Sequence, residues 1–369
     1  MRILFTAGPM FGHVNTMLPL ARAARAAGHD VAFATGPDLV AQAQREGLAT
    51  WPVGPTHLEA GGGADADWMA YFAVSAQKRA DELIPRARRW RPDLVVSEET
   101  ELAGPVVAAA TGAPSAIHGL GIMPPPRIWD AFAGMLTQLY EYWHVADDVQ
   151  AVRDAPYLEI CPPALRAPGG RIWRHTLDVR PAMGEPVAGE RLPDTLDRLP
   201  YADTVHLTLG TVFHTNREVL RSAQDGLRDL PVNVVVAAGP DADTDAFGPQ
   251  PAHAVLVPYV PHALLLPRCR LVVSQGGAGV MFGALAHGLP QLVIPQGAEQ
   301  FLNAEAAQRA GASLTLTPDE VTPEAVTAAV VRLLDDPAIA AAAAEVRTEI
   351  ERMPTADAAL ASLLGVMRR

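Results

Sequence analysis

Three glycines fall within the four residues 276–279, between the apolar run LVVSQ (271–275) and a segment with helical spacing, VMFGALAHG. In an open α/β sheet, ligands bind beyond the carboxyl ends of the strands. A helix N-terminus there offers unpaired N–H groups and a partial positive charge of about half a unit. Gly276, Gly277 and Gly279 therefore suit a pyrophosphate cradle, although a tight turn made for packing alone explains the cluster equally well.

Two common nucleotide-binding motifs do not fit this cluster. No Gly-Lys-Ser/Thr follows it, as a P-loop requires. It is a broken GxGxxG, because Met281 and Phe282 follow Gly279. A nicotinamide-binding domain also favours an acidic residue near the end of the next strand, where this chain has Gln296. A nicotinamide-linked oxidoreductase is therefore the less favoured alternative.

Further polar groups are expected at the same sheet edge. Thr211 follows Gly210 at the end of the predicted strand 203–211 and brings a hydroxyl there. Glu299, Gln300 and Asn303 begin a predicted helix, where a carboxylate beside an amide can bind paired sugar hydroxyls. Helix capping is the alternative explanation for these three residues.

A candidate general base lies near the N-terminus. His13 is expected in the loop after the first predicted strand, and histidine has an unperturbed pKa near 6.5, which suits proton transfer at neutral pH. Glu98 and Glu99 end another predicted strand and could orient and charge-stabilise an imidazolium. A solvated or purely structural histidine is the alternative.

These residues are positioned by an alternation of strand and helix patterns, which predicts an α/β fold with doubly wound parallel sheets. Strands are predicted at 2–8, 30–36, 91–100, 115–121, 203–211, 232–239, 253–260, 269–274 and 290–295. Helices are predicted at 15–27 and 37–47, with two more at the C-terminus separated by Pro354. The segment 181–200 is rich in Pro, Gly and charge and is predicted to link domains at 1–180 and 201–354.

Composition excludes several classes of function. The formal net charge of −12 argues against a nucleic-acid surface, which needs a basic stripe. No apolar run approaches the roughly 20 residues of a membrane span, and the N-terminus lacks the features of a signal peptide. Cys161 and Cys269 are far apart in sequence and are expected to be buried, reduced thiols in a cytoplasmic protein.

Taken together, the motifs resemble those of GT-B nucleotide-sugar glycosyltransferases, in the bacterial branch that decorates antibiotics of the macrolide and enediyne type and related natural products. The matching segments, in chain order, are GHVNTMLPLARAARAAGHDV, TLGT, YVPHALLLPRC, GGAG and GLPQLVIPQGAEQFLNA. The resemblance implies two facing Rossmann-like domains, with a C-terminal helix at about 355–369 crossing back to the N-terminal domain. The acceptor would bind in domain 1–180 and the donor in domain 201–354.

The resemblance also implies roles for individual residues. His13 matches the catalytic base and Glu98 its acidic partner. Tyr259 would stack on the nucleobase and the Val260 backbone would contact the edge of the base. The pyrophosphate would meet Thr211 and the amides of 276–280, and the sugar would meet Glu299 and Gln300. Acceptor contacts are expected from residues near the base and in the aromatic, Met-rich segment 120–143, where ordinary core packing is the equal alternative: Met10, Phe11, Met123, Trp129, Tyr140 and Trp143.

The implied reaction is inverting transfer of a sugar, expected to be a deoxysugar, from a nucleoside diphosphate to a hydroxyl of a natural-product aglycone. The expected nucleotide is dTDP rather than UDP, and no metal or other cofactor is expected. Aglycone and nucleotide sugar are the expected partners, without nucleic acid or membrane insertion, and homodimerisation stays open.

Two departures from the motif raise a second hypothesis. The family has His and Thr where this chain has Gln275 and Val280. Gln275 can donate a neutral hydrogen bond to a phosphate, and Val280 keeps its backbone amide. A degenerate, non-catalytic homologue that binds ligand or assists another enzyme is therefore the main alternative.

Overall fold

The computed structural model describes residues 1–62, 67–146, 149–167, 172–182, 189–210, 216–239, 242 and 244–367. The chain divides into two compact units. The first comprises Met1–Cys161, Arg166–Ala182 and Met353–Arg369, and the second comprises Pro162–Leu165 and Met183–Arg352. The longer part of the second unit thus begins within the segment 181–200 that was expected to be a linker. Residues 163–165, which were expected in the first domain, form a short 3₁₀ helix of the second unit.

The first unit is built on a parallel sheet of seven strands in the order β3-β2-β1-β4-β5-β6-β7. The strands are β1 (Arg2–Thr6), β2 (Asp30–Thr35), β3 (Ala49–Pro52), β4 (Leu94–Glu98), β5 (Ser115–His118), β6 (Tyr157–Glu159) and β7 (Thr176–Asp178). The helices between them are α1 (Phe11–Ala26), α2 (Val40–Arg45), α3 (Trp68–Trp90), α4 (Ala103–Thr111), α5 (Pro126–Tyr142) and α6 (Val149–Asp154). Every residue of the central strand β4 is buried, as expected for a parallel strand covered by helices on both faces.

The second unit has a parallel sheet of six strands in the order β10-β9-β8-β11-β12-β13. The strands are β8 (Thr204–Thr208), β9 (Asn233–Ala237), β10 (Ala254–Val257), β11 (Leu271–Ser274), β12 (Gln291–Val293) and β13 (Ser313–Thr315). Its helices are α7 (Arg217–Leu227), α8 (His262–Leu265), α9 (Ala278–Ala286), α10 (Gln300–Arg309), α11 (Pro323–Asp335) and α12 (Pro337–Arg352). The adjacent strands β8, β11 and β12 end at one edge, where the glycine cluster lies.

The last helix, α13 (Ala356–Met367), belongs to the first unit, where it packs on α1 and β7. The parallel α/β architecture and the predicted strands are confirmed. The N-terminal helix begins at Phe11, four residues before the predicted start. Among the residues that the structure describes, no helix combines the length and the apolar character needed to cross a bilayer.

Candidate active site

His13 lies in the first turn of α1, so its predicted place in a loop is wrong. The chain enters the helix directly after Pro9, because the Met10 carbonyl accepts hydrogen bonds from the backbone amides of His13 and Val14 at 3.1 Å. The His13 ring is largely buried. A helix fixes the direction of the side chain more firmly than a loop would.

Glu98, the last residue of β4, pairs with this histidine. Its Oε1 lies 2.7 Å from His13 Nδ1, and the carboxylate is almost completely buried. Burial acts to raise the pKa of Glu98, but the charge and hydrogen bond of His13 and the hydrogen bonds from Thr100 outweigh it, so that the pKa is lowered. An ionised carboxylate can only accept. Nδ1 of the neutral imidazole therefore carries the hydrogen, and Nε2 is the nitrogen that can take up a proton.

Thr100 completes this pair, and the sequence did not single it out. Its hydroxyl donates to Glu98 Oε1 at 2.7 Å and its backbone amide donates to Glu98 Oε2 at 2.8 Å. The hydroxyl oxygen also lies 3.3 Å from His13 Nδ1. The spacing Glu-x-Thr is the available sequence signal, because a carboxylate often accepts from the backbone two residues on.

Glu99 does not join the pair, although the sequence placed it beside Glu98. Its carboxyl accepts a 2.6 Å hydrogen bond from the Tyr157 hydroxyl instead. Burial raises the pKa of Glu99 to about 8, and the charges of Glu98 and Glu159 add to the effect. The two neighbouring glutamates therefore differ in charge at neutral pH.

A small pocket adjoins the His13–Glu98 pair within the first unit. A Cβ added at Gly8, which lines it, would lie 3.3 Å from Glu98 Oε1 and 3.5 Å from His13 Nδ1, so this wall directly covers the pair. The other lining residues come from the loop before α1, from α3 and from the segment after β4: Pro9, Tyr71, Phe72, Ser75, Ala76, Thr100, Glu101 and Leu102. The sequence had assigned no role to α3, whose Tyr71 and Phe72 line this pocket.

The aromatic segment 120–143 is mostly core. Trp129 and Tyr140 are only 3% and 1% exposed, and Trp129 packs edge-on against Trp173 with ring centroids 4.4 Å apart. Met123 and Trp143 are half-buried against the same cluster. Of the two interpretations open from the sequence, packing is favoured for Trp129 and Tyr140. Phe11 is 41% exposed at the start of α1.

In the second unit, the glycine cluster forms the turn from β11 into α9. Gly276 has φ +81°, and a Cβ there would lie 2.5 Å from Val293 Cγ1, so a side chain would be both strained and obstructed. The Gly276 amide donates to Ser274 Oγ at 3.1 Å. In this structure the Gly276 amide hydrogen is thus directed at the end of β11, while its expected contact with a phosphate stays a prediction.

The backbone amides that follow Gly276 differ from it in their hydrogen bonding. Gly277 is the N-cap of α9 and provides no side chain to cap it. Within the described part of the chain, the amides of Ala278, Gly279 and Val280 have no hydrogen-bond acceptor, while the Met281 amide bonds to the Gly277 carbonyl. The Val280 side chain packs in an apolar cluster with Leu266, Val272, Ala284 and Leu289, so its amide is its polar contribution to the turn.

Two buried side-chain oxygens at this turn also have no partner in the described structure. Gln275 is 8% exposed and its Oε1 is unpaired, while its amide group lies against Gly210. Asn303 is fully buried; its Nδ2 donates to the Gly276 carbonyl at 2.8 Å and its Oδ1 is unpaired. Unpaired buried oxygens are costly and require a reason, such as a bound ligand or water.

The remaining donor-site candidates lie at neighbouring strand ends. Glu299 occupies the N-cap of α10 but makes no capping bond there, and it is exposed. The side-chain oxygen Oε1 of Gln300 accepts from the backbone amides of Gln296 and Gly297 at 2.8 and 3.3 Å, so the side-chain nitrogen Nε2 is the atom that can donate to a ligand. Thr211 lies outside the described residues.

The loop after β10 presents an aromatic ring above a buried residue. Tyr259 is 63% exposed, and its hydroxyl lies 3.4 Å from Glu190 Oε1. Val260 is 1% exposed and packs with Val235, Ala237 and Leu265. An exposed aromatic on a fixed backbone is a suitable surface for stacking a flat ring.

Comparisons with known proteins identify the class. A family model for the N-terminal domain of erythromycin biosynthesis protein CIII-like proteins matches residues 63–142, and the model for their C-terminal domain matches 221–364. The chain is 31% identical to 10-deoxymethynolide desosaminyltransferase of Streptomyces venezuelae, over 96% of this chain and 94% of that protein. It is also 31% identical to L-demethylnoviosyl transferase of Streptomyces niveus, over 96% and 95% of the two chains.

Comparison with solved structures leads to the same class of protein. The glycosyltransferase VinC in complex with dTDP superposes with a TM-score of 0.84 at 29% identity over the whole of both chains. Spinosyn rhamnosyltransferase SpnG complexed with thymidine diphosphate gives 0.82 at 26%, again over both whole chains. The fold and site thus define a GT-B glycosyltransferase. The chain belongs to the erythromycin CIII-like family of bacterial natural-product glycosyltransferases, and the nicotinamide-linked alternative has no support.

Proposed function

We propose that this enzyme transfers a deoxysugar from a dTDP-sugar to a hydroxyl of a natural-product aglycone, with inversion at the anomeric carbon and with His13 as general base. Relatives named for transfer of desosamine and demethylnoviose support the sugar class. The thymidine diphosphate in the VinC and SpnG structures supports the nucleotide.

The observation that carries the mechanism is the buried pair of His13 and Glu98. Glu98 holds the Nδ1 hydrogen and so presents Nε2 as the proton acceptor. His13 takes the proton of the acceptor hydroxyl while that oxygen forms a bond to the anomeric carbon. The bond from this carbon to the diphosphate oxygen breaks on the opposite face, and dTDP leaves. The proton then resides on an imidazolium that Glu98 stabilises. A base of this kind contributes roughly 10²–10⁴-fold.

The start of α9 is proposed to hold the diphosphate. The amides of Ala278, Gly279 and Val280 have no acceptor in the described part of the chain, and the helix N-terminus adds a partial positive charge. This arrangement would stabilise the negative charge that develops on the leaving diphosphate without a metal ion. Gln275 would add a neutral hydrogen bond from its amide. Tyr259 would stack on the thymine, and Glu299 with Gln300 would contact the sugar.

The aglycone is proposed to bind the first unit beside His13. Met10 and Phe11 stand at the start of the helix that carries the base, and the Phe11 side chain is exposed. An exposed aromatic side chain there suits a flat, apolar acceptor. Residues 1–180 and 201–354 would thus carry the acceptor and donor functions respectively.

The test is an assay of the purified protein with dTDP-deoxysugars and a panel of natural-product aglycones, with the anomeric configuration of the product determined by NMR coupling constants. Inversion with dTDP-sugars and weaker use of UDP-sugars are expected. A retained configuration would overturn the mechanism. Tight dTDP binding without turnover across the panel would favour the auxiliary, non-catalytic role.

A further inference from the structure

A hydrogen bond between two buried histidines in the second unit connects the loop that contains Tyr259 to strand β8 of the sheet. His206, in β8, is completely buried. His262 is the first residue of α8 and follows Tyr259, Val260 and Pro261 directly. Their Nε2 atoms lie 3.1 Å apart, and the rings meet edge-on with centroids 5.0 Å apart.

The tautomers of this pair follow from their partners. His206 Nδ1 lies 2.9 Å from the Val235 carbonyl, which can only accept, so Nδ1 carries the hydrogen. His206 Nε2 is therefore an acceptor, and His262 Nε2–H is the donor. Burial lowers the pKa of His206 to about 3 and that of His262 to about 4, so that both rings are neutral in ordinary buffers. The hydrogen bond thus has a fixed direction, from the loop to the sheet.

This bond is one of the attachments of the segment 258–262 to the rest of the second unit. The Pro258 carbonyl accepts from the Gly239 amide at 3.1 Å. The Val260 side chain is buried on the same sheet face as Val235. Tyr259 lies between these points. Its ring is mostly exposed and its hydroxyl lies 3.4 Å from Glu190 Oε1, so the backbone beneath the ring sets the place from which it projects.

We infer that the His206–His262 hydrogen bond positions the Tyr259–Val260 backbone for the nucleobase of the donor, which makes both histidines positioning residues for donor recognition. This inference rests on the proposed placement of the base at Tyr259. The pair has no expected contact with the phosphates, which the amides of α9 would bind. Its loss should therefore weaken the binding of the nucleoside while leaving the phosphate cradle intact.

The experiment measures Kd by calorimetry for dTDP and for inorganic pyrophosphate with the full-length protein. His262→Ala removes the donor, His262→Gln replaces it with an amide N–H at a similar reach, and His287→Ala is a matched loss of a histidine elsewhere in the same unit. His262→Ala should raise the dTDP Kd about fivefold, the value for one neutral hydrogen bond, and leave the pyrophosphate Kd unchanged. His262→Gln should restore most of the affinity, and His287→Ala should match the wild type.

Two other results would contradict the inference. Equal dTDP affinity in His262→Ala and wild type would overturn the inference, as would an equal loss for dTDP and pyrophosphate. If His262→Ala does not fold, His206→Asn, which keeps the donor to Val235, replaces it with the same expectations. Failure of the wild type to bind dTDP would reject the donor site itself, and the inference with it.

Discussion

The carboxyl edges of the two sheets differ in how their polar groups are paired. In the first unit, His13, Glu98 and Thr100 satisfy one another and form a charged, buried network. In the second unit, the start of α9 leaves amides and the oxygens of Gln275 and Asn303 unpaired among the described residues. A paired network fixes a tautomer and suits proton transfer. Unpaired amides suit a ligand with acceptor oxygens such as a diphosphate, whereas the two unpaired side-chain oxygens need a donor such as water or a hydroxyl. The proposed function therefore assigns chemistry to the sheet edge of the first unit and ligand binding to that of the second.

The largest expected effect comes from removing the base. His13→Ala should lower kcat/KM by roughly 10²–10⁴-fold, because the acceptor hydroxyl loses its proton acceptor. The dTDP Kd should stay within twofold, since the donor is assigned to the other edge. Turnover within a few-fold of wild type would show that His13 is not the base.

Neutralising the partner of the base should have a smaller effect. Glu98→Gln keeps the shape of the side chain but removes the charge that stabilises the imidazolium, and kcat should fall about tenfold to hundredfold, the value of one charge-assisted hydrogen bond. Thr100→Val is the related variant that removes a donor to Glu98 without removing the charge. Thr100→Val should lower kcat by less than Glu98→Gln does, and a larger fall in kcat would contradict the assigned roles.

The neutral character of the donor edge can be changed at a single residue. Gln275→His introduces a group that becomes cationic near pH 6, so the variant should bind dTDP about threefold to tenfold more tightly at pH 6 than at pH 8. The pH dependence of the wild type, which reports the titration of the nucleotide itself, is the baseline. Calorimetry at both pH values measures the difference. Identical affinities and pH dependence in the two proteins would show that Gln275 is not a phosphate contact of consequence.

The smallest effect concerns stability. The pKa of Glu99 is about 8 in the folded protein, above the value near 4.3 of an unfolded glutamate. The folded state therefore binds this proton more tightly, and the resulting stabilisation is lost as pH rises from about 4 to 8. Glu99→Gln removes this titration. The difference in Tm, variant minus wild type, should be a few degrees larger at pH 8 than at pH 5. The same difference at both pH values would refute the assignment.

The sequence was informative where a motif coincided with the ends of strands. His13, Glu98 and the glycine cluster were found because apolar runs end beside them, and the fold class followed from the alternation of those runs. Short strands such as β6, β7 and β13, each of three residues, carry no periodicity that could reveal them. The commitment of the Gly276 amide to Ser274 depends on the turn geometry, and the burial of Trp129 depends on Trp173, a partner far along the chain.

The strand pattern alone could not separate the neighbouring glutamates, and only the family resemblance selected Glu98. Glu98 and Glu99 are the same residue type, but consecutive side chains of an extended segment point in opposite directions. Glu98 meets a histidine and a threonine, while Glu99 meets Tyr157. Their opposite pKa shifts follow from these partners rather than from residue type.

A crystal structure with dTDP bound tests the central contrast most directly. Diphosphate oxygens should lie about 2.7–3.2 Å from the amides of Ala278, Gly279 and Val280, with thymine on Tyr259 and the Gln275 side chain within hydrogen-bond reach of a phosphate. The His13–Glu98 distance should not change. A nucleotide bound elsewhere, or a diphosphate held by groups other than these amides, would contradict the assignment of the second edge to the donor.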